Sequence, residues 1–236
     1  MFDISKDSLS KNLKKEGFNI YDSKNRKLNE NIFSAIDTEE KAYWLGFLYA
    51  DGSVLSNEDK IELQIQTRDE VHLIKFKKFV GSSNKITRKT IKLNDKKYYS
   101  SRLGFRSKKM KDDLIRLGCY NKKSLILKFP NDEQVPKELK RHFIRGYIDG
   151  DGSIVYTDKT LCINLIGTEN FIIDFCNYFN LKINTLSDVG ISNKRWQSYD
   201  RNLIINFLNL IYKDSKIYLE RKYAIYKTII EKCRLH

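Results

Sequence analysis

Proline and glycine are scarce in this chain, 2 and 11 of 236 residues, which argues against a low-complexity basic protein of the kind that only packages nucleic acid. Metal-finger patterns are missing as well. The four cysteines, Cys119, Cys162, Cys176 and Cys233, form no Cys-x-x-Cys pair, and His72, His142 and His236 stand at no zinc-like spacing from them, so free, mostly packed thiols are expected. The longest apolar run, around Ala42 to Ala50, falls far short of the roughly 20 residues that a membrane-spanning helix needs. Met1 is followed by polar residues rather than an apolar signal segment, and an intracellular protein without a targeting signal is expected. Richness in Lys, Asn and Ile suggests an AT-rich genome, whether of a bacterium, a phage or an organelle. Acidic residues are also in deficit. There are 44 Lys and Arg against 30 Asp and Glu, a formal charge of +14, which favours a polyanionic partner, nucleic acid before an anionic membrane surface.

What is present begins with enough apolar material, 41% with 12% aromatic, to bury one substantial core or two small ones. Its arrangement is repetitive. Residues 44–52 read WLGFLYADG and residues 144–152 read IRGYIDGDG, so Gly46, Asp51 and Gly52 recur as Gly146, Asp151 and Gly152 at an offset of 100. The repeat continues through Ser53 and Ser153, through the alternating strands Ile61, Leu63, Ile65 and Leu161, Ile163, Leu165, and into amphipathic stretches starting near Asp69 and Glu169. Two half-domains of like topology are the natural reading. They are expected over 38–129 and 130–236, joined near Pro130 and Pro136, with 1–37 as an accessory segment. Pro136 suits the first turn of the second motif helix, and Asp37 with Glu40 has capping-box spacing before the first.

Each half then reads as a helix, antiparallel strands and further helices. Alternation over Ile61 to Gln66 puts Glu62, Gln64 and Gln66 on one face and aliphatics on the other. A second ribbon is expected from Lys85 to Leu93 and Tyr98 to Arg106, with Arg88, Lys92, Arg102 and Arg106 at alternating positions. Residues 84–128 hold 15 Lys and Arg but only three acids, so most of the net charge lies in this stretch. A solvated lysine-rich surface would read the same way. The interleaved Tyr98, Tyr99 and Ser100 and the glutamine-bearing strand favour a DNA-facing sheet, since a β-ribbon fits the major groove.

Gly46 and Ala50 lie one above the other on a helix, as do Gly146 and Gly150, giving each motif a stripe of small residues suited to close helix contact. If the two helices pack in parallel, Asp51 and Asp151 meet at two helix C-termini. Like charges at negative dipole ends are unfavourable, and a divalent cation would relieve the strain. Paired Asp side chains with helix-end carbonyls suit Mg²⁺ (or Mn²⁺), which retains waters and accepts phosphate oxygens.

The two motifs, WLGFLYADG and IRGYIDGDG, resemble the signature of the LAGLIDADG homing endonucleases in their single-chain, two-motif form. That resemblance implies an α+β fold of two αββαββα half-domains whose sheets form a saddle over DNA. It also implies metal-dependent, staggered cutting of both strands by a monomer at a long, near-asymmetric duplex site, as in intron homing. It places the metal-binding acids at Asp51 and Asp151 and backbone carbonyl ligands at Ala50 and Gly150. At the sixth motif position Tyr49 replaces the common Asp, whereas Asp149 keeps it, and Asp149 is expected to make a structural contact. Lys123 and Lys222 are candidates for the basic residue near the scissile phosphates, and Gln66 for positioning water. Gln64, Gln66, Arg88, Lys92, Arg102, Arg106 and Asn164 are the candidate DNA contacts. Ser5 to Glu16 resembles the remnant of a helix-turn-helix. Trp44, Phe47 and Tyr147 read as packing residues, and His72 and His142 as packed, hydrogen-bonded histidines. The alternative function is a protein of the same fold that binds nucleic acid without cutting, as an intron maturase or a transcription regulator.

Overall fold

The protein is described by a computed structural model over residues 27–55, 58–93, 96–120, 126–183, 186–190 and 192–234. The expected helix Ser5 to Glu16 and the candidate Lys123 lie outside the described residues. Among the described residues seven α-helices and eight strands follow one another as α1 (Glu39–Asp51), β1 (Gly52–Leu55), β2 (Lys60–Gln66), α2 (Glu70–Phe79), β3 (Thr87–Leu93), β4 (Lys96–Arg106), α3 (Lys108–Arg116), α4 (Lys140–Asp151), β5 (Ser153–Tyr156), β6 (Leu161–Thr168), α5 (Glu169–Tyr178), β7 (Ser187–Val189), β8 (Asn193–Ser198), α6 (Arg201–Tyr212) and α7 (Glu220–Arg234). Each half is therefore αββαββα, with α7 added to the second. The strands form two antiparallel four-stranded sheets with matching orders, β1-β2-β4-β3 and β5-β6-β8-β7. One buried cluster runs through both halves, from Phe33 to Ile229.

Local chemistry sets the helix starts. Thr38, in extended conformation, accepts from the Lys41 amide at 3.3 Å and caps α1. Asp37, expected to be the cap, is one residue too early and pairs with the Lys41 ammonium at 2.8 Å instead. Pro136 precedes a short 3-10 turn, Lys137–Leu139, that runs into α4, as suits a residue with preset φ and no N–H to satisfy. In α1 every residue from Ala42 to Tyr49 is buried, because the helix lies between its own sheet and α4.

Register decides which strand residues share a face. In the first sheet Ile61, Leu63, Leu103 and Phe105 point into the core under α2 and α3, while Gln64 faces Arg102 and Gln66 faces Ser100 on the open side. Arg88 pairs across with Ser101, a core-side residue, and Lys92 with Lys97. Arg88, Lys92, Arg102 and Arg106, expected at alternating positions of a DNA-facing ribbon, fall on two faces: Arg88 and Lys92 lie on the helix side, and Lys89 takes the open side opposite Ser100. A one-residue offset in pairing exchanges the two faces of a strand. Arg88 is committed there to a two-pronged ion pair with Glu70 of α2, at 2.6 and 2.7 Å.

The two halves meet through α1 and α4. A Cβ built on Gly46 would lie 1.9 Å from the Phe143 carbonyl oxygen, and one on Gly146 would lie 1.9 Å from the Tyr43 carbonyl oxygen. On Gly150 it would lie 2.3 Å from the Ala50 Cβ. The small-residue stripes pack against each other in parallel, as the spacing implied, and no side chain fits between the backbones. Gly46→Ala and Gly146→Ala should therefore destabilise the protein by about 1–3 kcal/mol despite alanine's better helix propensity. Urea denaturation of each variant beside wild type measures this, and equal or greater stability would contradict the close contact.

Candidate active site at the paired helix ends

The contact that excludes side chains at Gly46 and Gly146 brings the C-terminal ends of α1 and α4 side by side. Each helix stops the same way: the Gly52 amide donates to Leu48 O and the Gly152 amide to Ile148 O, the latter at 2.9 Å, and the chain turns directly into β1 or β5. Asp51 and Asp151 stand at these turns. A cleft of about 260 Å³ holds Asp51 with Gly150 of the other helix, bordered by Gln64, Gln66, Asp69 and Arg221. Another, of about 80 Å³, holds Asp151 with Ala50, bordered by Tyr147, Ile166, Thr168 and Asn193. The arrangement is crossed. Each cleft combines the acid of one motif with the seventh-position residue of the other, and each opens onto the uncovered face of one sheet. A larger groove of about 810 Å³ lies at the start of α1 beside Lys75 and Lys216, at the other end of that helix from Asp51.

The oxygen-only donors at the crossing, two carboxylates and helix-end carbonyls, fit a hard divalent cation that keeps part of its water shell. They do not form a closed protein cage. Among the described residues no group of three or more His, Cys, Asp or Glu could hold a metal. Any ion held here would complete its coordination with water and ligand oxygens.

Lys222 lies at the same helix end but is buried, and its ammonium donates to the carbonyls of Ile148, Asp149 and Gly152 at 2.5, 2.8 and 2.6 Å. It places a cation on the negative end of α4 and satisfies carbonyls that the helix itself cannot. Burial draws its pKa down to about 8, opposed by Asp149 and, further down the order, by Asp51 and Asp151. The same two acids, after burial, push the Tyr147 hydroxyl upward, and that hydroxyl donates to Ile166 O at 2.8 Å.

Beneath the clefts is a buried polar hub. Asp149 is fully buried and accepts from Tyr43 Oη at 2.8 Å, Tyr212 Oη at 2.6 Å and the Leu219 amide at 2.8 Å. Its structural assignment holds. Burial raises its pKa even so, with Lys222 and its hydrogen bonds pulling the other way. Because Tyr43 donates its only hydroxyl proton to Asp149, His72 Nε2, 2.8 Å away, must donate to Tyr43. The chain His72, Tyr43, Asp149 thus links α2 and α1 of the first half to α4 of the second. At the matching position of the first motif, Tyr49 donates to Leu117 O at 2.5 Å and fills the space over Gly118, whose φ is +95°. Arg145, also fully buried, donates to Ile211 O, Ile217 O and Glu39, and His142 packs against it.

The open faces carry Gln64, Gln66, Arg102 and Arg106 from the first sheet and Asn164 from the second, all of them candidate contacts. Residue patterns did not single out Lys60, Lys89, Arg195, Gln197, Asp69 or Arg221. The first four become visible only with strand register. Asp69 and Arg221 are separated by most of the chain, and Arg221 Nε donates to both Asp69 oxygens, at 3.2 and 3.0 Å, across the two halves.

No protein-family model and no curated protein sequence matches the chain. Solved structures do. The homing endonuclease I-WcaI bound to its DNA recognition sequence is similar with a TM-score of 0.54 and 14% identity, over 81% of this chain and 91% of that one. The meganuclease I-SmaMI bound to uncleavable DNA gives 0.52 and 12%, over 82% and 90%. Full-length DUF199/WhiA from Thermatoga maritima gives 0.52 and 15%, over 86% of this chain and 64% of that one. These likenesses establish the LAGLIDADG two-half fold. Among the described residues no helix is long and apolar enough to cross a membrane.

The hub makes a pH prediction. Burial holds the His72 pKa down to about 3, below its ordinary 6.5. Between these values the unfolded chain binds a proton that the folded chain does not, so stability is full above pH 6.5 and falls on acidification by up to about 1.4 kcal/mol per pH unit from this residue. His72→Gln should flatten that fall in urea titrations from pH 7 to pH 4. An unchanged slope would contradict a neutral, proton-donating His72.

Proposed function

We propose that this chain is a site-specific endonuclease of double-stranded DNA that uses Mg²⁺ or Mn²⁺ and acts as a monomer. The observation that carries this reading is the crossing of the helix ends. Two clefts, each with one acid, Asp51 or Asp151, and the Gly150 or Ala50 backbone of the opposite helix, border the two uncovered sheet faces. Two hydrolytic centres side by side suit a duplex, whose strands each offer one scissile phosphate. A bound divalent ion supplies charge neutralisation of the phosphate and an activated water.

The chain's own residues supply the rest. Asp51 and Asp151 would hold the cation, with the Ala50 and Gly150 carbonyls as further oxygen donors. Gln66, at the open end of β2 and lining the Asp51 cleft, orients a water by its amide; its repeat counterpart Ile166 has no such group, so the two centres differ. Lys222 is a positioning residue that fixes the end of α4 and offsets the charge of the acids. The open sheet faces place amide and guanidinium groups against base edges and phosphates. The protein of I-WcaI, seen with its DNA recognition sequence, and that of I-SmaMI, seen with DNA, support duplex DNA as the partner. A positive charge of +14 adds affinity that weakens steeply with salt.

A second reading, binding without hydrolysis, takes its support from the fold, which is similar to that of DUF199/WhiA as well as to those of the endonucleases. Cleavage of a randomised duplex library separates the two. Wild type should cut selected sequences with Mg²⁺ and not with EDTA. Asp51→Asn and Asp151→Asn should each bind as well as wild type yet lose double-strand cutting by at least about 100-fold. Specific binding by folded wild type with no cutting under any divalent ion would establish the second reading.

A further inference from the structure

The strand registers of the two sheets match at the repeat offset of 100 residues along β2 and β6. Gln64 faces Arg102 in the first sheet, and the matched pair in the second is Asn164 facing Gln197. One sheet offers an amide beside a guanidinium, the other two amides. The surroundings differ in the same sense. The first open face carries Lys60, Lys89 and Arg106, whereas the second carries Arg195 as its one cation among the described strand residues, with Val155 exposed and Ile166 partly so. Neither Asn164 nor Gln197 makes a side-chain hydrogen bond to another described residue, while Arg102 is paired with Glu62 at 2.8 Å.

We infer that the second sheet reads an A·T-biased half-site through Asn164 and Gln197, and that the first sheet supplies guanine contacts and most of the phosphate attraction. The inference rests on duplex DNA being the partner and does not need the duplex to be cut. In the major groove Asn and Gln match the N6 and N7 atoms of adenine, apolar side chains match the thymine methyl, and Arg or Lys matches guanine O6 and N7. Two adjacent amides flanked by Val155 and Ile166 fit consecutive A·T pairs. The Gln64 and Arg102 pair fits a site containing G·C.

The test is selection of randomised duplexes by retention on the full chain in EDTA, followed by sequencing. Wild type should recover a site with one A·T-rich half and one half containing G·C. Asn164→Ala and Gln197→Ala should relax preference roughly 5- to 150-fold at positions in the A·T half only. Gln197→Arg, which copies the first-half pair, should bring a G·C pair into that half. Arg102→Ala should relax the other half and reduce the salt dependence of binding, with thermal melts checking that each variant is folded. Relaxation of both halves alike, relaxation at G·C positions by the amide variants, or an unchanged site with Gln197→Arg would overturn the inference, as would recovery of no preferred sequence. Recovery of the expected site by a protein that never cuts upholds it and removes only the nuclease reading.

Discussion

The molecule depends on the approach of two helices closer than any side chain permits. Gly46 and Gly146 let the backbones of α1 and α4 touch, and Gly150 lets Ala50 and Asp51 come against the other helix end. Everything of chemical interest follows from that distance. It aligns the two C-terminal ends, it sets each acid beside the backbone of the opposite motif, and it turns two separate sheets into a pair of surfaces that meet at the acids. Packed between its own sheet and α4, α1 is buried on every side from Ala42 to Tyr49.

Two carboxylates at two negative helix ends are electrostatically unfavourable, and the surrounding residues answer this unequally. In the second half Lys222 holds the α4 carbonyls and Asp149 is wrapped by two tyrosine hydroxyls and a backbone amide. In the first half Tyr49 stands in place of that acid and donates to Leu117 O. The Asp69 and Arg221 pair and the His72, Tyr43, Asp149 chain tie the halves together beside the clefts. Pseudo-symmetry is thus retained where the backbones touch and abandoned where side chains surround the acids. The same division runs outward into the sheets, one cationic and one nearly neutral.

Much of this was legible in the sequence because the contact between helices permits so few residues. Glycine at positions 46, 146 and 150 and the Asp-Gly helix ends could be read directly, and the strand alternation after each motif followed from burial of one face. Other features were hidden for physical reasons. Arg88 looked like a neighbour of Arg102, but pairing with Ser101 puts it on the helix side, and no local pattern specifies that register. Arg145 reads as a basic residue in an apolar motif; its partners, Glu39, Ile211 and Ile217, come from three distant segments. Lys222 was visible as a late basic residue, yet its role as a helix-end donor depends on the packing of α7 against β5 and the end of α4.

On the proposed reading a divalent cation binds at the crossed helix ends. Titration of Mn²⁺ into the protein on a selected duplex, with free Mn²⁺ followed by electron paramagnetic resonance, measures this without reference to cutting. The account predicts that wild type depletes the free signal and that the Asp51→Asn, Asp151→Asn double variant, bound to the same duplex, does so no more than the duplex alone. Equal depletion by the two proteins would contradict it.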